Sequence, residues 1–229
     1  MLTPDVAVFE RLHAAARGHL RIITLAPELP GAMELIKAAT QAGVDGGQGD
    51  VGATHATHLF NGMRPFHHRE PGAVGALLDR DEVTCEIIAD GVHLHDIAIR
   101  LAARAAGHGR LVLVSDAMAA AGMPDGRYQL GSKRVTVTGG VARLQEDPGQ
   151  PGAIAGSTAT LADVVRHAIA AGLPAPDVAA AASTTPARVL GLGDRTGALR
   201  PSLAADLVVC DDDFRPRAVM RAGKWLAGP

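Results

Sequence analysis

Between Leu20 and Ala117 the chain alternates short apolar runs with helical repeats, and the apolar runs stop at polar or ionisable residues. That alternation restricts the fold more than any other feature. "LRIITLAPE" reads as a buried strand running into a proline turn, and "GAMELIKAATQAG" as a helix closed by Gly43. "ATHATHLFN" is strand-like, and "EPGAVGALLDRD" is a loop entering a short helix. "VTCEIIADG" predicts a strand, "DIAIRLAARAAG" a helix and "RLVLVSDA" another strand. Strands that alternate with helices in this way make β/α units with a largely parallel sheet.

The flanking segments differ. "VAVFERLHAAARG" near the start carries apolar residues at helical spacing and ends at Gly18. "GRYQLGSKRVTVTGGVARLQ" alternates and turns at Gly139-Gly140, which predicts a β-hairpin. Helices resume in "TATLADVVRHAIAAG" and "APDVAAAASTTPARVLG". The tail from Gly197 shows short strands and turns and no helical repeat, while "DGGQGD" (Asp45 to Asp50) is loop-like.

Composition narrows the function classes. Aromatics are 3% of 229 residues, so the core must be built from Ala, Val, Leu and Ile. A formal net charge of -2 with no basic tract argues against a nucleic-acid or membrane-surface binder. Cys85 and Cys210 lie far apart, make no metal-type pair and suit a reduced compartment. No apolar run of signal-peptide or membrane-spanning length occurs, so a cytoplasmic protein is expected.

Chemistry is concentrated at the strand ends. Glu28 follows the first strand, His58 and Asn61 end the second, Asp90 and His93 follow the third, and Asp116 ends the fourth. In β/α barrels functional residues collect where strands end and loops begin. An aspartate after a strand is, on the bland reading, a helix N-cap. The run from Thr54 to Leu78 also holds four histidines, His55, His58, His67 and His68, a density that suggests a metal. If the segment is one strand, His55 and His58 differ by an odd number and face opposite sides, which makes His55 structural.

The ordered set "THLFNGM", "HHREPG", "IADGVHLH", "LVSDAM", "IAGSTATLADVVR" and "STTPARVLGL" resembles the N-acetylglucosamine-6-phosphate deacetylases of the amidohydrolase superfamily. The resemblance runs from about Leu20 to the C-terminus. It implies an α/β fold: part of a TIM-type (β/α) barrel over residues 1–194, then a β segment of a composite β-sandwich over 195–229. It implies hydrolysis of an acetamide by water held on a divalent metal, commonly zinc. It assigns the general base and acid to Asp116 and one metal ligand to His58. It assigns the phosphate to Asn61, the Gly62 backbone and Arg69, whose guanidinium offers forked donors and a permanent charge. Gly91 and His93 in "DGVH" match the substrate-binding loop, where His93 would polarise the acetyl carbonyl or hold a sugar hydroxyl. Ile154, Ala155 and Gly156 match a loop whose backbone lies over the sugar. The plain alternative there is a helix entry with Ser157 as N-cap.

The chain also departs from that family. A metal-binding glutamate belongs to a strand upstream of "ITLAPELPG". A second metal histidine belongs to a strand between "LIKAATQAGV" and "GATHATHLFN", where this chain has only "DGGQGDV". Two of three expected protein ligands are thus not found, and Glu28 and Asp116 are the candidate substitutes. The resemblance implies a small amino-sugar phosphate as partner, and a homodimer that covers open sheet edges is expected. A paralogue that keeps sugar-phosphate binding without catalysis is the alternative. An early "His-x-His", the mark of dihydroorotase-like and adenine-deaminase-like relatives, is lacking.

Overall fold

The computed structural model describes residues 3–44, 54–145 and 152–228. Its first helix, α1 (Val6–Ala16), starts at Asp5, whose side chain accepts from the Val8 N–H. It packs on α2 (Ala32–Gln41) in a cluster of Phe9, Leu35, Ala39 and Val44. "LRIITLAPE" does not form the expected strand: only Ile22 makes an isolated bridge. Its Leu20, Ile23 and Leu25 side chains pack against the α1–α2 cluster instead. The segment still lies beside the next strand, where the Thr24 and Thr57 hydroxyls are 3.3 Å apart.

Three parallel strands follow in the order β1 (His55–Ala56), β2 (Thr84–Ile87) and β3 (Leu111–Leu113). His55 pairs with Thr84, and Cys85 with Leu111. β2 and β3 are buried almost throughout, as expected of parallel strands covered by helices. Helix α3 (Gly72–Asp79) connects β1 to β2, and α4 (Asp96–Ala106) connects β2 to β3. The main core gathers Leu59, Leu77, Ile87, Ile99, Leu113 and Val164. Each such side chain contributes about 1.5–3 kcal/mol on leaving water.

After β3 the chain makes an antiparallel meander, β4 (Gly126–Leu130), β5 (Lys133–Thr138) and β6 (Val141–Leu144). The predicted hairpin is therefore three-stranded, with an additional turn at Gly131. Helix α5 (Leu161–Ala170) returns to the parallel sheet, followed by α6 (Ala175–Ala179), a π-helical stretch (Ala180–Thr184) and α7 (Thr185–Val189). A third sheet, antiparallel, comprises β7 (Leu207–Cys210), β8 (Pro216–Arg221) and β9 (Lys224–Ala227). The fold class is thus α/β with a small C-terminal antiparallel sheet. Among the described residues no helix is long and apolar enough to cross a membrane. The "DGGQGD" loop lies outside the described residues.

Candidate functional site

A densely bonded group beyond the C-terminal ends of the parallel strands is the carboxylate of Asp90, just past β2. Its Oδ1 accepts from the backbone N–H groups of Val92 and His93, both at 2.9 Å. Its Oδ2 pairs with His93 Nδ1 at 2.8 Å and accepts from the Ser157 hydroxyl at 2.8 Å. Four donors therefore occupy one carboxylate whose side chain is 3% exposed. Burial raises the carboxyl's pKa, but the bonds from His93, Val92 and Ser157 outweigh it and hold Asp90 well below the usual carboxylate range. Asp90 is not the N-cap of the next helix. His95 takes that role, its Nδ1 accepting from the Ile97 N–H.

Ser157 joins this cluster to Asp116. Its backbone N–H donates to the Asp116 carbonyl at 2.8 Å, and its own carbonyl accepts from the Met118 N–H at 2.9 Å. The residues just before it extend the meander, for the Ala155 N–H donates to the Ala142 carbonyl and Ile154 bridges Arg143. "IAGS" thus crosses from the β4–β6 sheet to the end of β3. Gly156 allows the crossing: its φ is +71°, and a Cβ there would stand 3.0 Å from the Asp116 carbonyl oxygen. Ser157 is not the cap of α5. Thr160 is, through a reciprocal pair with Asp163. Asp116 itself is exposed, with φ of 51°, and no helix starts after it, so the N-cap reading of this aspartate fails.

The neighbouring cluster centres on Glu86 of β2. Its Oε1 meets His55 Nε2 at 2.7 Å, and its Oε2 accepts from the His58 backbone N–H at 3.4 Å. The strand ends at Ala56, so parity does not separate His55 from His58. The chain turns instead, with φ of 36° at His58 and 74° at Phe60, while the Leu59 N–H still reaches the Glu86 carbonyl. His55 is buried, but its polar partner is a carboxylate on the adjacent strand. The Nδ1 atoms of both His55 and His58 are buried, with no hydrogen-bond partner among the described residues.

The candidate phosphate residues follow that turn. The Asn61 side-chain amide donates to the carbonyls of His58 and Leu59, both at 3.3 Å, so it braces the turn. Gly62 is exposed, with open space where a Cβ would be. Arg69 is exposed, and its guanidinium donates to His68 Nε2 at 2.9 Å. His67 and His68 lie ring against ring, 4.4 Å between centroids, and His67 Nδ1 accepts from the Arg69 N–H. These two histidines shape the Arg69 loop. Gly91, next to Asp90, is covered by His167 of α5: a Cβ would come within 2.6 Å of the ring. His167 Nε2 in turn meets Asp96 at 3.0 Å.

Among the described residues no three His, Cys, Asp or Glu side chains are grouped to hold a metal ion. Neither Glu28, which is exposed, nor Asp116 completes a set with His58. Zinc sites take three or four protein ligands. The described residues alone therefore do not fit such a centre, despite the orphaned His58 nitrogen. Sequence reasoning missed Glu86 and the joining role of Ser157. An acidic residue inside the otherwise apolar run "VTCEIIA" was the available signal for Glu86.

Comparison with known proteins adds to the geometry. The amidohydrolase family model matches residues 37–226. An N-acetylglucosamine-6-phosphate deacetylase of Bacillus subtilis (strain 168) is 37% identical over 223 residues, 91% of this chain and 55% of that protein. An N-acetylgalactosamine-6-phosphate deacetylase of Escherichia coli O157:H7 is 36% identical over 98% of this chain and 60% of its own length. The solved structure of a mutant N-acetyl-D-glucosamine-6-phosphate deacetylase from Mycobacterium smegmatis, in complex with N-acetyl-D-glucosamine-6-phosphate, matches with a TM-score of 0.89 at 42% identity. That match covers 99% of this chain and 63% of the other. The chain thus spans little more than half the length of the curated relatives it matches.

Proposed function

The chain belongs to the amidohydrolase family, and from that premise we propose that it acts on N-acetylglucosamine-6-phosphate, releasing acetate and leaving glucosamine-6-phosphate. The observation that carries this reading is the joining of Asp116 to the Asp90–His93 pair through one residue, Ser157. Water adds across the acetamide: a C–O bond forms at the acyl carbon, the C–N bond breaks, and the amine gains a proton. Asp116, an exposed carboxylate at the end of β3, takes the proton from the attacking water and returns it to the leaving nitrogen. His93 polarises the acetyl carbonyl or holds a sugar hydroxyl. Arg69 and the Gly62 N–H receive the phosphate, and Asn61 contributes by holding the turn that presents them. Gly91 keeps the His93 loop close to α5, and the Ile154, Ala155 and Gly156 backbone lies over the sugar.

The family implies a divalent metal, and zinc is the metal of this reading. The described residues offer His58 as one protein ligand and do not make up the site. In a second reading, Asn61, Arg69 and His93 hold the sugar phosphate without hydrolysis. The parallel sheet is read as an arc of a (β/α) barrel ending at residue 194, and residues 195–229 as a separate β segment. A homodimer accords with the exposed Val208, Trp225 and Leu226 of the last sheet. A cytoplasmic setting accords with the two free cysteines.

Acetate release and calorimetric binding, measured with N-acetylglucosamine-6-phosphate in the presence of added zinc, test both readings. Release with binding supports the hydrolase. Binding without release supports the second reading, and absence of both overturns the two together.

A further inference from the structure

We propose that Asp90 and Ser157 are positioning residues that fix the His93 imidazole as its Nδ1–H tautomer and hold it in one frame with Asp116. The inference rests on the functional reading above for its purpose, and on geometry for its content. An ionised carboxylate can only accept hydrogen bonds. Asp90 is ionised, because four donors converge on it and they hold its carboxyl well below the usual range. The 2.8 Å contact between Asp90 Oδ2 and His93 Nδ1 therefore requires a hydrogen on Nδ1. Neutral His93 then has a bare Nε2, an acceptor for a hydroxyl. Only the protonated ring can donate from Nε2 to a carbonyl. Asp90 thereby decides which of the two substrate contacts His93 makes in each protonation state.

Ser157 fixes where this happens. Its hydroxyl donates to Asp90 Oδ2 and accepts from the Ala159 N–H at 3.0 Å, so its rotamer is held from both sides. Its main chain bonds the Asp116 carbonyl and the Met118 N–H. One buried serine, 3% exposed, thus touches the proton-handling residue through its backbone and the substrate histidine's anchor through its side chain. A serine that merely filled space would need neither bond.

Long-range proton–nitrogen correlation of the histidine rings in the full chain, at mildly alkaline pH, reads the tautomer directly. His93→Gln identifies the signal by its loss. The expected result is a protonated Nδ1 and a bare Nε2 on His93, and a protonated Nε2 in its place overturns the proposal without any variant having to fold. In Asp90→Asn the new amide can donate to the ring, so the tautomer is expected to invert or mix. An unchanged tautomer there contradicts the role of Asp90. In Ser157→Ala the His93 Nδ1 hydrogen should exchange with water at least about tenfold faster, because the carboxylate loses one of the bonds that hold it closed. Unchanged exchange removes Ser157 from the proposal. None of these readouts needs substrate, so failure of the wild-type chain to bind N-acetylglucosamine-6-phosphate would sink the functional reading and leave this one standing or falling by the ring nitrogens.

Discussion

Two carboxylates one strand-end apart meet opposite situations. Asp90 accepts from donors of its own loop and from Ser157 on both of its oxygens. Glu86 holds His55 and the His58 backbone, yet both of those rings keep a buried Nδ1 with no partner among the described residues. Within the described residues the Asp90 part of the site is complete in its hydrogen bonds and the Glu86 part is not. The Asp90 cluster is self-sufficient and rigid by its own bonds. Among the described residues, nothing satisfies the remaining ring nitrogens of the histidines that the Glu86 cluster orders.

The largest effect that could break this comparison is at Asp90. Asp90→Ala removes the common acceptor of four donors and should cost roughly 3–5 kcal/mol, read as a lower urea midpoint. Glu86→Gln keeps the shape and one acceptor, and should cost about 1–2 kcal/mol in the same assay. If Glu86→Gln proved the more damaging, the ranking of the two clusters would be reversed.

Acid sharpens the same contrast. Asp90 has a depressed pKa, so its stabilisation is full above the ordinary carboxylate range, about 3.9, and is lost as the pH falls through its lower folded value. The stability gap between wild type and Asp90→Asn should therefore narrow as the pH drops below about 4. A gap that stays constant to the lowest pH at which the fold persists would place the stabilisation elsewhere.

The smallest effect concerns the cysteines. Burial pushes the Cys85 thiol up to about 11, so it stays protonated and unreactive at neutral pH. Cys210 is exposed on β7. A thiol reagent should label Cys210 in the native protein, and Cys85 only after denaturant is added. Rapid native labelling of Cys85 would mean that the strand β2, which carries Glu86 and leads to Asp90, opens readily.

Much of this was legible in the sequence. The alternation of apolar runs and helical repeats predicted β2, β3 and their helices, because buried parallel strands and amphipathic helices carry distinct periods. Polar residues at strand ends pointed to Asp90, His93 and Asp116. The parity argument for His55 and His58 loses its premise, because it holds only while a strand continues and β1 stops at Ala56. Positive φ at His58, Phe60 and Asp116 leaves no mark in the sequence, since none of these is glycine. "LRIITLAPE" has the composition of a strand, but among the described residues only Ile22 bridges, and Leu20, Ile23 and Leu25 pack on the α1–α2 cluster. The bond from Ser157 to Asp90 spans 67 positions, beyond the reach of any local pattern.

In the proposed function the Asp116 side of this molecule handles the proton of amide hydrolysis. Asp116→Asn, compared with wild type for acetate release and for calorimetric binding of N-acetylglucosamine-6-phosphate, tests it most directly. The expected result is sugar-phosphate binding within about threefold of wild type and acetate release slowed by about a hundredfold or more. Equal release by both proteins, or a wild type that releases no acetate, would contradict it.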